Sequence, residues 1–257
     1  MNRSIHRAAV LLVALAAAAP AAAQRYGRGV NGGEALSAPP NPRYDGRFTY
    51  ARVKFTQSCC VAGGQYWDVK WGHDYPTSDF HFPKILQELT SMRVRTDGSA
   101  ILALDDPELF KYPFVYLCEP GYWLPSPAEA AGFRNYLLKG GFAIIDDFDG
   151  PAWYNFEEQM KQVLPGLRPI AMTADHPLFD SFYRIPSLDD FSYRGMQAKF
   201  YGFFEDNDPK KRLLAIVNYD YDVSEYWEFS DTGWFPIALS NEAYKLGVNY
   251  IIYAFSR

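Results

Sequence analysis

The sequence predicts an α/β protein, a three-layer sandwich built on a mostly parallel central sheet. Three observations carry this. Residues 112–150 read as strand, helix and strand in immediate succession. Residues 142–145 (FAII) are apolar on both alternating faces, as in a strand covered by helices on both sides. Strand-like and helix-like segments then alternate through the rest of the chain, with no internal repeat and no second domain.

Taken in order, residues 1–23 carry the marks of a secretory signal peptide. Arg3 and Arg7 give a positive start, an alanine- and leucine-rich core follows, and Ala21, Ala22 and Ala23 precede the expected cleavage before Gln24. The apolar stretch is short for a membrane span, so a periplasmic or secreted protein is expected, with no stable span after cleavage. Residues 24–46 are rich in Gly, Pro and Asn without apolar periodicity and read as a flexible arm. Residues 47–257 are expected to form one domain.

Residues 48–55 (FTYARVKF) are aromatic and β-branched, the first strand. A long loop follows, with Trp67, Trp71 and His73 as its contact residues. A helix is expected to start between Ser78 and Pro83, because proline suits only the first turn; Ile85, Leu86, Leu89 and Met92 form its buried stripe. Residues 101–104 are a short strand candidate. After the strand at residues 113–117, Ser126, Pro127 and Glu129 spell a capping box with proline at the first helical position. Ala130, Phe133 and Leu137 face inward, and Gly140-Gly141 stops the helix. Asn155 with Glu158 predicts the cap of a third helix, with Phe156, Met160, Val163 and Leu164 inward. Residues 196–204 and 212–217 are strand-like. Ser240 or Asn241 is expected to open a closing helix with Ala243, Leu246, Tyr250 and Ala254 in register.

The formal net charge of −5, without a basic run in the mature chain, excludes nucleic acid as a partner. Cys59, Cys60 and Cys118 leave two readings open: one disulfide to Cys118 with a thiol left over, or three buried thiols. Adjacent cysteines lack zinc-knuckle spacing, so no metal and no cofactor is expected.

The runs WGHDYPTSDFHFPKILQELTSMRV, YPFVYL, PAEAAGFRNYLLKGGFAIIDDFDG and VLPG with DHPLFDSFY together resemble a bacterial exported family of unknown function. That resemblance, covering nearly all of the mature chain, implies a class I glutamine amidotransferase-like, flavodoxin-like domain akin to trehalose-utilisation-type proteins. Such relatives carry a cysteine nucleophile at a strand-to-helix elbow. Here Asp146, Asp147 and Phe148 stand after FAII, and the helix following Cys118 waits until Ser126. A Cys118–His176–acid triad is therefore not expected.

Open α/β sheets bind ligands at the carboxyl ends of their strands. Asp146 and Asp147 become the catalytic candidates there, with His176, which precedes a proline. Glu119, Tyr122, Trp123, Asp149, Trp71 and His73 are the ligand-contact candidates. The favoured expectation is a non-catalytic binding or scaffold module of the cell envelope with a glycan or protein partner, since aromatic residues make up 17% of the chain and suit flat contacts. A hydrolase using a strand-end Asp and His176, metal-assisted or not, is the first alternative. A structural subunit docked through its arm is the second.

Overall fold

The computed structural model describes residues 39–58 and 68–256. The signal peptide, most of the arm, Trp67, Cys59 and Cys60 lie outside the described residues.

The central sheet has seven strands: β1 (Ala51–Val53), β2 (Ala100–Leu102), β3 (Phe114–Cys118), β4 (Phe142–Asp146), β5 (Ile170–Ala171), β8 (Lys199–Phe204) and β9 (Leu213–Tyr219). Their order is β2-β1-β3-β4-β9-β8-β5, and β2, β1, β3, β4 and β9 run parallel while β8 is antiparallel to both its neighbours. A separate hairpin pairs β6 (Ser192–Tyr193) with β7 (Met196–Gln197).

Among the described residues five α-helices cover the sheet: α1 (Thr77–Leu89), α2 (Pro127–Leu138), α3 (Ala152–Val163), α4 (Val223–Glu228) and α5 (Ile237–Phe255). Alternation along β3 and β4 sorts the core into two layers. Phe114, Tyr116, Phe142 and Ile144 pack with α1, α4 and α5. Val115, Leu117, Ala143 and Ile145 pack with α2 and α3. The α/β sandwich expected from the sequence is thus present.

The elements read from local signals sit where expected. Ser126 and Glu129 close the capping box of α2, each side chain accepting the other's backbone N–H. Phe133 and Leu137 are fully buried, as are Phe156 and Val163 of α3.

Several boundaries differ: the strand expected over residues 196–204 divides into β7 and β8, and at α1 and α3 a tertiary contact outweighs the local signal. Helix α1 begins at Thr77, leaving Pro83 inside it. Buried Arg52 holds both Ser78 (3.2 Å) and Asp79 (2.6 Å), which fixes the first turn six residues ahead of the proline. Asn155 is not the cap of α3, which begins at Ala152. Its amide reaches outward to the carbonyls of Trp123 (2.9 Å) and Pro120 (3.3 Å). Helix α5 starts at Ile237, with Ser240 already buried inside it. Helix α4 lies in a stretch read only as acidic and aromatic; its signal is Asp222, whose carboxylate accepts the Glu225 N–H at 2.8 Å.

The described end of the arm is docked on the domain. The Asn41 amide donates to the Ile101 carbonyl (2.9 Å) and accepts from the Ile101 N–H (2.8 Å). Tyr44 meets Tyr112 edge-on, and Asp45 pairs with Arg95 at 2.7 Å. Among the described residues no helix is long and apolar enough to cross a membrane.

Candidate functional site

Three neighbouring strands leave the sheet in the same way. Immediately after β3, β4 and β9 stand Glu119 (φ 47°), Asp147 (φ 60°) and Asp220 (φ 58°), all in the left-handed region. A non-glycine residue there costs on the order of 1–3 kcal/mol, and such positions concentrate at functional sites. Backbone bonds hold the turns side by side: Glu119 N–H donates to the Asp146 carbonyl at 3.1 Å, and Asp220 N–H to the Phe148 carbonyl at 3.0 Å. Each of these three sharp strand-end turns therefore carries an acid.

These acids line a cleft of about 170 Å³. Glu119, Asp147, Asp149 and Asp220 supply carboxylates, while Phe148, Tyr122 and Tyr221 supply aromatic surface. Tyr193 and Arg194, from the β6–β7 hairpin, reach the same cleft. The hairpin is tied to α4, the Tyr193 hydroxyl donating to Glu225.

The 70–79 loop brings His73 to the wall of the site, and Arg52 in the middle of β1 puts it there. The guanidinium is fully buried, ion-pairs with Asp79, and donates to the carbonyls of Trp71 (3.1 Å) and His73 (2.9 Å). His73 Nδ1 then lies 3.0 Å from Glu119 Oε1 and 3.5 Å from Asp147 Oδ2, and Nε2 lies 2.7 Å from Asp68 Oδ1. Lys70 Nζ bridges Asp68 (2.7 Å) and Glu119 (3.1 Å).

Burial disfavours charge on His73, yet the hydrogen bonds and charges of Asp147, Asp68 and Glu119 outweigh it and hold the imidazole well above its usual range. Burial and the Asp147 charge push Glu119 up. For Asp147 burial is overcome by the hydrogen bond from His73, and its carboxyl falls below the usual range. The two carboxyls of one cleft are thus driven apart.

Beneath α4 lies a second layer of acids. Asp146 accepts from Asn218 (2.8 Å), the Tyr116 hydroxyl (2.8 Å) and the Val223 N–H (2.9 Å). Burial raises it to about 8 against the Asn218 and Tyr116 hydrogen bonds. Asp74, itself left-handed at φ 60°, accepts from the Ser224 hydroxyl and is raised to about 6 by burial and the Asp147 charge. Burial and the Asp147 and Asp74 charges push Asp222 well up. The Cys118 thiol donates to Asp147 at 3.4 Å and is pushed well up by burial, so it is no ready thiolate.

Among the described residues two groups bring three possible metal-ligand atoms together: His73, Glu119 and Asp147, and Asp74, Cys118 and Asp147. In each the ligand atoms lie within 4.8 Å of one another.

The structure therefore gathers Asp147, Glu119, Tyr122 and Asp149 at the cleft, with His73 beside them. It does not bring in the others. Asp146 faces the buried layer under α4, because the left-handed turn at Asp147 separates the two side chains. Trp123 is fully buried against Phe133, and Trp71 is 9% exposed in the core, so neither offers a contact surface. His176 accepts the Leu178 N–H and packs on Phe204 and Tyr253. Tyr253 also packs on Phe142, the first residue of β4, which places His176 at the amino end of the sheet, away from Asp147.

Sequence reasoning missed Asp68, Lys70, Asp74 and Asp222 and, lining the cleft, Tyr193, Arg194, Asp220 and Tyr221. Asp222 did carry a signal, the cap of α4.

Residues 51–255 match the family described as Domain of unknown function (DUF4159). No curated protein matches the chain.

Proposed function

Because the chain belongs to the DUF4159 family, whose description names no activity, we propose a function from the cleft itself: an exported hydrolase acting on a neutral or amine-bearing glycan. One observation carries this reading. Glu119 and Asp147, in left-handed turns on adjacent strand ends, share one cleft while their environments drive their protonation in opposite directions. Asp147, kept ionised by His73, bonds to the sugar carbon as Glu119 gives its proton to the leaving oxygen and the old carbon–oxygen bond breaks, the order that suits carboxylate oxygens within 4.8 Å of each other. Water then bonds to that carbon, losing a proton to Glu119 and releasing Asp147. Clustered carboxylates repel phosphates and carboxylated ligands, whereas hydroxyl groups donate to them. Tyr122 and Tyr221 add flat surface for a sugar ring.

The amidotransferase-like class belongs to the same proposal: the five parallel strands and acid-bearing elbows support it without the cysteine chemistry. Export is part of the same proposal and is supported by the signal-peptide pattern of residues 1–23. The binding-module reading shares the cleft but needs no divergence between Glu119 and Asp147.

The test is a panel of neutral and amino-sugar oligosaccharides assayed for binding and cleavage. Cleavage should fall by 10² or more in Asp147→Asn with binding retained, the usual scale for a positioned acid or base. Binding without cleavage by the unaltered protein overturns the hydrolase in favour of a binding module; neither binding nor cleavage overturns both.

A further inference from the structure

We propose that His73, Glu119 and Asp147 form a site for a divalent transition-metal ion of the zinc type. The inference rests on the hydrolase reading for the ion's role and on geometry alone for its existence.

The set joins one imidazole nitrogen to two carboxylate oxygens, a donor mix that suits zinc and its neighbours better than calcium or magnesium. The spacing fits. Ligands about 2.1 Å from a tetrahedral zinc stand about 3.4 Å from each other, and here Nδ1 lies 3.0 Å from Glu119 and 3.5 Å from Asp147. The imidazole is also oriented as a ligand. Its Nε2 donates to Asp68 at 2.7 Å, the carboxylate–histidine arrangement found behind metal-bound imidazoles. Lys70 holds Asp68 and also touches Glu119 Oε1, the oxygen facing His73, at 3.1 Å, and the Arg52 guanidinium fixes the His73 carbonyl, so the orienting groups stand behind His73. All three ligand residues are partly exposed, which leaves an entry path and a position for water.

Asp147 also belongs to the inner set with Asp74 and Cys118, so a buried thiol and a second carboxylate lie within 4.8 Å of its oxygen. On binding, the ion displaces the Nδ1 proton to solvent and takes its place between the two carboxylates. It would then ionise the attacking water; Glu119 and Asp147 are both ligands in that state, and the proton the water releases goes to the leaving oxygen.

The experiment is titration calorimetry of the full mature chain, stripped with a chelator, against Zn²⁺, Mn²⁺, Mg²⁺ and Ca²⁺. One Zn²⁺ per chain is expected, with Mg²⁺ and Ca²⁺ at least 100-fold weaker. Glu119→Gln and His73→Ala should each weaken Zn²⁺ at least tenfold, while Asp149→Asn, at the cleft but outside the donor set, should not. Circular dichroism checks that the variants fold, and Co²⁺ absorption, which reports tetrahedral nitrogen and oxygen ligation, reads the site without a substitution. Zn²⁺ binding unchanged in both ligand variants, or no binding at millimolar ion, overturns the site. Glycan cleavage that survives chelation removes the ion's role but leaves the hydrolase. A bound ion without cleavage does the reverse.

Discussion

The residue on which the site depends most is Arg52, which is nowhere near the cleft surface. It is fully buried, bonded to Asp79, Ser78 and two loop carbonyls, and lies 5.0 Å over the ring of Tyr116. A buried ion pair contributes little net stability against an apolar substitute, but removing one partner strands the other charge. Arg52→Met should therefore cost about 3–5 kcal/mol in chemical denaturation. Adding Asp79→Leu should recover most of that stability. Ligand affinity at the cleft should stay low in both variants, because the His73 carbonyl has still lost its donor. An Arg52→Met chain as stable as the original would show that the pair is solvated in solution.

At the scale of elements, the β3 turn and α3 fit with almost no space between them. A Cβ on Gly121 would stand 2.4 Å from the Ala152 Cβ, closer than two carbons approach without displacement. Gly121→Ala should cost about 1–3 kcal/mol as overpacking and shift the Glu119 turn. Denaturation and ligand affinity both read it, and Ala152→Gly in the same chain should restore both. This packing explains what was legible in the sequence and what was not. The capping box of α2 and the covered strand β4 are written in consecutive residues, so they could be read directly. Pro83 and Asn155 misled because Arg52 and the Trp123 carbonyl, both distant in sequence, decide those helix starts. Glu119 and Asp147 were legible because strand ends are where such sheets bind ligands. His176 was misplaced because a histidine before proline says nothing about which end of the sheet it will meet. Asp74 joins the site from a loop whose course depends on Arg52, and nothing local announces it.

For the whole molecule the consequence is an unusual pH dependence. Asp74 is raised to about 6, Glu225 to about 7, and Asp146 and Glu228 to about 8, burial being the largest cause for each. Unfolded carboxyls titrate near pH 4. Between about 4 and 8 the folded chain thus holds more protons than the unfolded one, and stability must fall as pH rises. His73 acts in the same direction: its folded value is raised, so the stability it lends below its unfolded value of about 6.5 is lost progressively above it. The melting temperature of chelator-treated protein should drop steadily from pH 5 to pH 8, and Glu228→Gln should flatten the slope. A melting temperature that is level or climbs across this window contradicts the buried acid layer.

The Asn41 side chain satisfies both the N–H and the carbonyl of Ile101 on β2, the outermost strand on that side of the sheet. One amide thus imitates one residue of an eighth strand. Open strand edges invite pairing with a second chain, and natural sheets are usually blunted there by charge, bulges or cover. Here the described end of the arm, anchored by Tyr44 and Asp45, covers the edge at Ile101, so a second chain meets an N–H and a carbonyl that are already taken.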